Sequence, residues 1–335
     1  MIFVTGDIHG SRDIQKLSAS NFPMQPQLSR EDFVIICGDF GLVWQDCAEE
    51  RRWLNWLEEK PWTTLWVDGN HENFDRLHTY PATEWHGGKI QKITPHIFHL
   101  CRGQVFQLEN RRIFTMGGAE SRDKEYRRAG VSWWAEELPA ETELRHAREA
   151  LEHVNWNVDV VISHCLSTKM QQKLFKEWNY PQNRLTDFFQ ELDEKLDFRL
   201  WFSGHYHLSK QCDPRHVILY DAIVQLTENG FQPQLPQEPD SLFCGILRET
   251  LNAICLQCFP KDILNACHRK DYFYENQQAK TICRHFRRHA LHQLPDGSIF
   301  RNSRNRRHCR RKRHPRRRGR TAPEYGSFRR DLRQG

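Results

Sequence analysis

Over its first 220 residues the chain alternates short apolar runs with amphipathic stretches. Ile2-Phe3-Val4, Phe33-Val34-Ile35-Ile36-Cys37, Leu65-Trp66-Val67 and Val158-Asp159-Val160-Val161-Ile162 are too short and too rich in β-branched and aromatic residues for helices. They read as strands buried on both faces. Residues 47–60 predict a helix supported by acid-base spacing such as Glu49 with Arg52, with Glu50 beside Trp53. Residues 141–154 place Leu144, Ala147, Leu151 and Val154 on one helical face, and residues 184–196 do the same with Leu185, Phe188, Phe189 and Leu192. Residues 104–116 predict two strands joined at Glu109-Asn110-Arg111. The alternation points to an α/β or α+β fold.

The polar residues that interrupt the pattern are not randomly chosen. Each apolar run is followed by a block of ligand-type side chains: Asp7 and His9 in GDIHG, Asp39 in GDFG, Asn70 and His71 in GNHE, His164 in SH, and His205 and His207 in GHYH. Placed at the ends of buried strands, these groups would converge on one crevice. Asp7 and His9 are two apart, as are His205 and His207, so on an extended segment each pair faces one side. The glycines at 6, 10, 38, 41, 69 and 204 would let the chain turn where the strands end. Carboxylate, amide oxygen and imidazole suit Mn, Fe, Zn or Co. No cysteine stands inside the blocks, which argues against a closed thiolate zinc site. So many ligands exceed one ion's need and fit two ions, about 3.5–4 Å apart, that share a bridge. Asp39, between the Asp7/His9 pair and Asn70, is the natural bridge.

In this order and spacing the blocks resemble the metallophosphoesterase superfamily, the calcineurin-like phosphoesterases, over roughly residues 1–230. The resemblance implies two mixed β-sheets packed as a sandwich flanked by helices. It implies Asp7, His9, Asp39 and His207 around one metal, and Asp39, Asn70, His164 and His205 around the other. His71 would contact the phosphate and protonate the leaving group. The expected reaction is hydrolysis of a phosphomonoester or phosphodiester by in-line attack of a metal-bound hydroxide, since no Cys or Ser stands at a ligand position. One departure matters. The Ser/Thr protein phosphatase branch carries an aspartate and an arginine shortly after the second block, where this chain has Phe40-Gly41-Leu42-Val43-Trp44. His71 therefore lacks that branch's acidic partner unless Asp46, Asp68 or another residue replaces it.

Residues 117–138 open with Gly117-Gly118 and mix charges with Trp133-Trp134. Arg122, Arg127 and Arg128 there are candidates for anion contacts near a phosphate site. Pairing with the loop's own Asp123, Glu125 and Glu136 is the alternative. The tryptophans at 44, 53, 56, 62 and 66 read mainly as packing, with Trp44 as a candidate wall of the cleft.

A chain of 335 residues allows one large domain with an appendage, or two domains. Strand pattern and ligands begin within the first few residues, leaving no room for a cleavable leader. No apolar run approaches a membrane span's roughly 18–20 residues. The 11 cysteines are scattered, and Cys37 and Cys165 lie in or beside buried strands. A cytoplasmic protein with reduced thiols is expected.

After residue 235 the character changes. Residues 236–335 carry 19 Arg and 4 Lys against 9 acids, a net +14, on a chain whose total is +6. The expected division is a catalytic domain at 1–235, a Cys/His-containing extension at 236–300, and an Arg-rich, disordered tail at 301–335. In the extension, Cys255-Leu256-Gln257-Cys258 has zinc-knuckle spacing that Cys267 or Cys283 could complete, yet it also fits one face of an amphipathic helix. The tail could bind nucleic acid non-specifically through phosphate contacts, so a nucleic-acid-binding protein acting through it is the alternative to the phosphoesterase.

Overall fold

The computed structural model describes residues 1–176 and 180–234; the expectations for 236–300 and 301–335 lie outside the described residues. Among the described residues, two mixed sheets pack face to face with helices on their outer sides. The first has eight strands. Its parallel centre runs β1 (Ile2–Thr5), β2 (Phe33–Ile36), β3 (Thr63–Trp66) and β6 (Ile97–Leu100). Beyond β1 it continues antiparallel through β13 (Ile223–Thr227) and β14 (Gly230–Gln234), and beyond β6 through β5 (Gly88–Thr94) and β4 (Ala82–Trp85). The second has six strands. Its parallel centre is β8 (Arg111–Met116), β9 (Val160–Ser163), β10 (Leu200–Ser203) and β12 (His216–Ile218), edged by antiparallel β7 (Gln104–Leu108) and β11 (Lys210–Gln211).

The continuous apolar runs follow from this layering. Strand side chains alternate between faces, and here both faces are covered. Ile2, Val4, Phe33, Ile35 and Leu65 point inward against Ile113, Val160, Ile162 and Phe202 of the opposite sheet. Phe3, Val34, Ile36 and Trp66 point outward under Leu57 of helix α1 (Ala48–Glu58), with Phe74 and Leu77 of the short helix α2 (Phe74–Leu77) in the same cluster. Phe114, Val161 and Trp201 point outward beneath α3 (Glu141–His153), α4 (Thr168–Leu174) and α5 (Arg184–Lys195). The helices over 47–60, 141–154 and 184–196 and the hairpin at 109–111 are therefore present, within a residue or two. Asn183 starts α5 by accepting hydrogen bonds from the Leu185 and Thr186 amides.

Glu50, read from the sequence only as lying beside Trp53, is buried, and its carboxylate accepts the Trp44, Gln45 and Asp46 amides at 2.9, 2.7 and 3.0 Å. It thereby folds the loop after GDFG onto the helix N-terminus, where a negative charge is favoured. A buried ion pair fixes the third block from behind. Arg102 donates to Asp68 Oδ2 at 2.9 and 2.5 Å and to the Glu136 carbonyl at 2.7 Å, so it ties the strand β3 end to the 117–138 loop. The compact body reaches at least Gln234, because Phe231 packs on the core and β14 pairs with β13 along its length. A boundary at Gly230 would remove that strand. Among the described residues, no helix is long and apolar enough to cross a membrane.

Candidate metal centre

The strands β1, β2, β3, β9 and β10 run parallel within their sheets, and each ends just before one ligand block. In open α/β sheets such carboxyl ends are where ligand sites gather. Asp7, His9, Asp39 and His207 each bring one ligand atom into a group whose members all lie within 4.8 Å of one another. His9 Nε2 is 3.2 Å from Asp39 Oδ2, and His207 Nε2 is 3.4 Å from Asp7 Oδ2. On the other side of Asp39, His164 Nε2 is 3.3 Å from Asp39 Oδ1 and 3.3 Å from Asn70 Oδ1. His205 joins this second group through ring contact with His164, centroids 5.0 Å apart, and its amide donates to Asp7 Oδ1 at 3.0 Å. The two oxygens of Asp39 thus face two different groups of ligands.

The ring nitrogens are oriented for binding a cation. His9 Nδ1 is 2.8 Å from Asp13 Oδ2, and His164 Nδ1 is 2.7 Å from the Cys37 carbonyl. Both partners accept, so both Nδ1 atoms donate and both Nε2 atoms point into the centre. Around His164 Nε2 only acceptors remain: Asp39 Oδ1 and Asn70 Oδ1. Burial disfavours charge on His164, but Asp39, Asp7 and the Cys37 carbonyl outweigh it and push the imidazole up to about 10. The site asks for positive charge at that atom, and a proton there occupies the place a divalent ion would take. His205 is the opposite case: burial and the neighbouring His164 hold it well below its ordinary value, leaving a neutral imidazole. Burial raises Asp39, yet His164 and His9 outweigh it and keep the carboxylate ionised. On donor chemistry, the residues fit divalent metals.

The route by which the ligands converge differs from the extended-segment expectation. His9, Asp39, His205 and His207 all have left-handed backbone, with φ of 42, 47, 70 and 51°. The i, i+2 pairs meet through tight turns, not through strand alternation. Such conformations cost on the order of 1–3 kcal/mol each and persist where the surroundings dictate them. The glycines divide likewise. Gly10, Gly38 and Gly41 have positive φ, whereas Gly69 and Gly204 are needed for space. A Cβ on Gly204 would lie 2.0 Å from Asp7 Oδ1, and one on Gly69 2.1 Å from Asp39 Oδ1.

His71 sits at the mouth, its ring 5.6 Å from that of His9, its amide donating to Asp39 Oδ1 at 2.8 Å. Neither Asp46 nor Asp68 serves as its acidic partner: Asp46 pairs with Arg51, and Asp68 with Arg102 and His99. What stands beside His71 is a cation. Arg127 NH1 is 3.4 Å from Nδ1 and NH2 is 3.3 Å from Nε2. Arg127 is itself held by Asp123 at 2.8 Å and by the Ser132 carbonyl at 3.3 Å. Among the three candidate arginines, Arg127 thus lies against His71. Arg122 lies over the Tyr180 ring at 4.4 Å, and Arg128 is exposed. Trp44 packs edge-on against Trp134, centroids 5.3 Å apart.

Several residues that shape the site carry no sequence signal of their own. Glu72, quoted in GNHE but not read, accepts the Phe40 and Gly41 amides at 2.7 and 3.3 Å and so holds the Asp39 turn. Lys16 is half-buried beneath the first block, donating to the carbonyls of Asp7 at 2.7 Å and of Tyr220; loss of solvation around its ammonium lowers it to about 8. Ser121 and Glu137 support Asn70 from the 117–138 loop. Asp13, four residues after His9, was visible as a spacing but means nothing until the turn is known.

A family model for calcineurin-like phosphoesterases matches residues 1–209, which include every candidate ligand named above. No curated protein matches the chain. Among solved structures, a protein assigned as a 5'-nucleotidase from Staphylococcus aureus shares 14% identity, with 75% of this chain and 58% of that one covered and a TM-score of 0.38. The sulfate thiohydrolase SoxB from Thermus thermophilus shares 12% identity, over 77% of this chain and 61% of that one, at a TM-score of 0.37. The phosphopantetheinyl hydrolase PptH from Mycobacterium tuberculosis shares 15%, over 70% and 87%, at 0.31. The chain thus spans about three-fifths of the first and second of these.

Proposed function

Because the chain belongs to the calcineurin-like phosphoesterase family, we propose that it is a metal-dependent phosphoesterase with two divalent ions, acting on a phosphomonoester or phosphodiester. Asp7, His9, Asp39 and His207 would hold one ion; Asp39, Asn70, His164 and His205 would hold the other. The observation that carries this reading is the placement of Asp39, whose Oδ2 faces His9 at 3.2 Å while Oδ1 faces His164 at 3.3 Å. When bound, the ions supply Lewis acidity toward phosphoryl oxygens and make water a competent nucleophile near neutral pH.

The chain's own residues supply the rest. Arg127 is fixed in position by Asp123 and Ser132. Its guanidinium lies against His71, so a phosphate entering there meets two donors at once. In the free protein, burial first and the Arg127 charge next hold His71 below its ordinary value, although Asp39 pulls it up. A dianionic substrate adjacent to the ring would favour the protonated form, as a proton donor to a leaving oxygen requires.

Two outcomes are expected. His71→Ala should keep both ions and lower kcat by about 10²–10⁴ for an alkyl phosphate. The loss should be smaller for p-nitrophenyl phosphate, whose leaving group needs no proton; an equal loss on both would assign His71 to positioning alone. Second, a chain ending after Gln234 should remain folded and keep its ions, because every ligand precedes residue 208. Any polyanion binding should vanish with the tail's net +14 and, in the full chain, fall steeply with salt. Filter binding at two salt concentrations, with metal analysis of the truncated protein, checks both; a truncated body that unfolds would move the domain boundary beyond 234.

A further inference from the structure

Asn70 has a two-ended side chain. Its amide can present oxygen or nitrogen to the centre, and only the oxygen can bind a cation. Within the ligand set, His164 Nε2 selects the oxygen only while it carries a proton. The deciding contacts come from the 117–138 loop. Asn70 Nδ2 donates to Ser121 Oγ at 3.1 Å. Ser121 Oγ donates to Glu137 Oε1 at 2.9 Å, and the Ser121 amide donates to Glu137 Oε2 at 2.8 Å. Glu137 is fully buried, and Ser121 is 5% exposed. Burial pushes the Glu137 carboxyl above its ordinary value, opposed by the Ser121 amide and hydroxyl, by Lys124, whose Nζ lies 3.8 Å from Oε2, and by Arg127.

The Ser121 backbone N–H is fixed as a donor to Oε2, and with Glu137 ionised the rest of the chain of donors runs one way. An ionised carboxylate only accepts, so the single hydroxyl proton of Ser121 goes to Glu137. The Ser121 oxygen is then left with lone pairs alone. Its partner on Asn70 must be the NH₂ end, which turns Oδ1 toward His164 Nε2 at 3.3 Å. Arg127 NH1, 3.5 Å from Ser121 Oγ, is another donor and reinforces the same polarity.

We propose that Ser121 and Glu137 are positioning residues that fix which end of the Asn70 amide faces the second ion. This rests on the reading of Asn70 as a ligand. The relay also joins the centre to the loop that carries Arg127, so ion binding and the phosphate-facing arginine share one support.

Glu137→Gln tests it with almost no change of shape. The Ser121 backbone N–H cannot reverse, so the glutamine oxygen must stay on it, and the NH₂ must face Ser121 Oγ. The serine proton is thereby freed to donate to Asn70, which favours Oδ1 turned away from the ion. Ser121→Ala removes the selection without reversing it. The measurement is titration of Mn²⁺ into the metal-free full chain under chelator competition, for wild type, E137Q, S121A and N70A. Metal-free thermal melts and the visible spectrum of the Co²⁺-loaded proteins accompany it. We expect E137Q to weaken one of the two ions by about 10–100-fold, S121A to weaken the same ion by less, and the other ion to hold. The metal-free melt should be unchanged while the Co²⁺ spectrum of the affected site shifts. If N70A loses one ion but E137Q and S121A bind both as wild type does, the relay is wrong and the ligand assignment stands. If N70A itself keeps both ions, the ligand assignment fails. Equal weakening of both ions with a lowered melt would make the pair merely structural. Should E137Q fail to fold, S121A alone decides by the same criterion.

Discussion

An Asp39→Asn enzyme should lose one ion, hold the other weakly, and turn over on the order of 10⁴-fold more slowly or worse, the scale set by losing several kcal/mol of charge stabilisation. Asparagine matches aspartate in shape and tolerates the left-handed backbone at this position, where φ is 47°. The variant should therefore fold. Two things are removed. The first is a full negative charge at the point where two ligand groups meet. The second is one of the two oxygens. The His71 amide donates to Asp39 Oδ1 at 2.8 Å and cannot reverse, so the asparagine oxygen should remain on that side. Its NH₂ then faces His9, which lies 3.2 Å from Oδ2. The ion held by Asp7, His9 and His207 should be lost first. The ion near His164 should weaken because its charge partner has gone, and His164 itself should fall from its raised value, since Asp39 is the main group pulling it up against burial. Elemental analysis and turnover of an aryl phosphate check this together. A variant that retains two ions and a near-normal rate would remove Asp39 from the bridging role.

The same residue marks the limit of what could be read from the sequence. The strands were legible because burial on both faces leaves runs such as Phe33-Val34-Ile35-Ile36, and a ligand block at the end of each run gave the crevice. Helices α3 and α5 were legible because each packs one face on the second sheet, which imposes a period of 3.6. What failed was local geometry. Nothing in Asp7-Ile8-His9 says that His9 has a positive φ, because that conformation is dictated by the Asp39 carbonyl accepting the Ile8 and His9 amides at 3.2 and 2.8 Å. Supports that are distant in sequence were equally silent. Glu137 lies 67 positions from Asn70 and contacts it only through Ser121. The role of Glu50 was hidden because it depends on where the chain folds just before the helix. Charge patterning pointed to the 117–138 loop, but not to the contact between Arg127 and His71, which depends on the turn that Asp123 and Ser132 stabilise.

Gly69→Ala should come close to the loss of Asp39 in damage, through a single methyl group. Gly69 has no left-handed backbone, so alanine meets no conformational penalty there and the effect is one of space alone. The added carbon would lie 2.1 Å from Asp39 Oδ1, 2.5 Å from the Asp39 backbone nitrogen and 2.8 Å from His164 Nε2. Ordinary contact needs about 3.5 Å. The carboxylate could swing away, but the backbone nitrogen cannot, so the Asp39 turn or the Asn70 loop must shift by roughly 1 Å. Either movement separates ligands of the same ion, and misplacements of that size cost about 10²-fold when only orientation suffers. Here an ion is lost as well, so we expect at least about 10³-fold. Stability should fall by only about 1–3 kcal/mol, the usual cost of overpacking. Gly130→Ala is the matched control, since it has a left-handed φ of 69° but open space around it. It should lose about 1–2 kcal/mol from backbone strain and keep both ions. Metal content, turnover and melting temperature of the two variants separate the effects. A Gly69→Ala protein with two ions and ordinary turnover would mean that Asp39 and His164 need not approach as closely as they do, and the second ligand group would have to be redrawn.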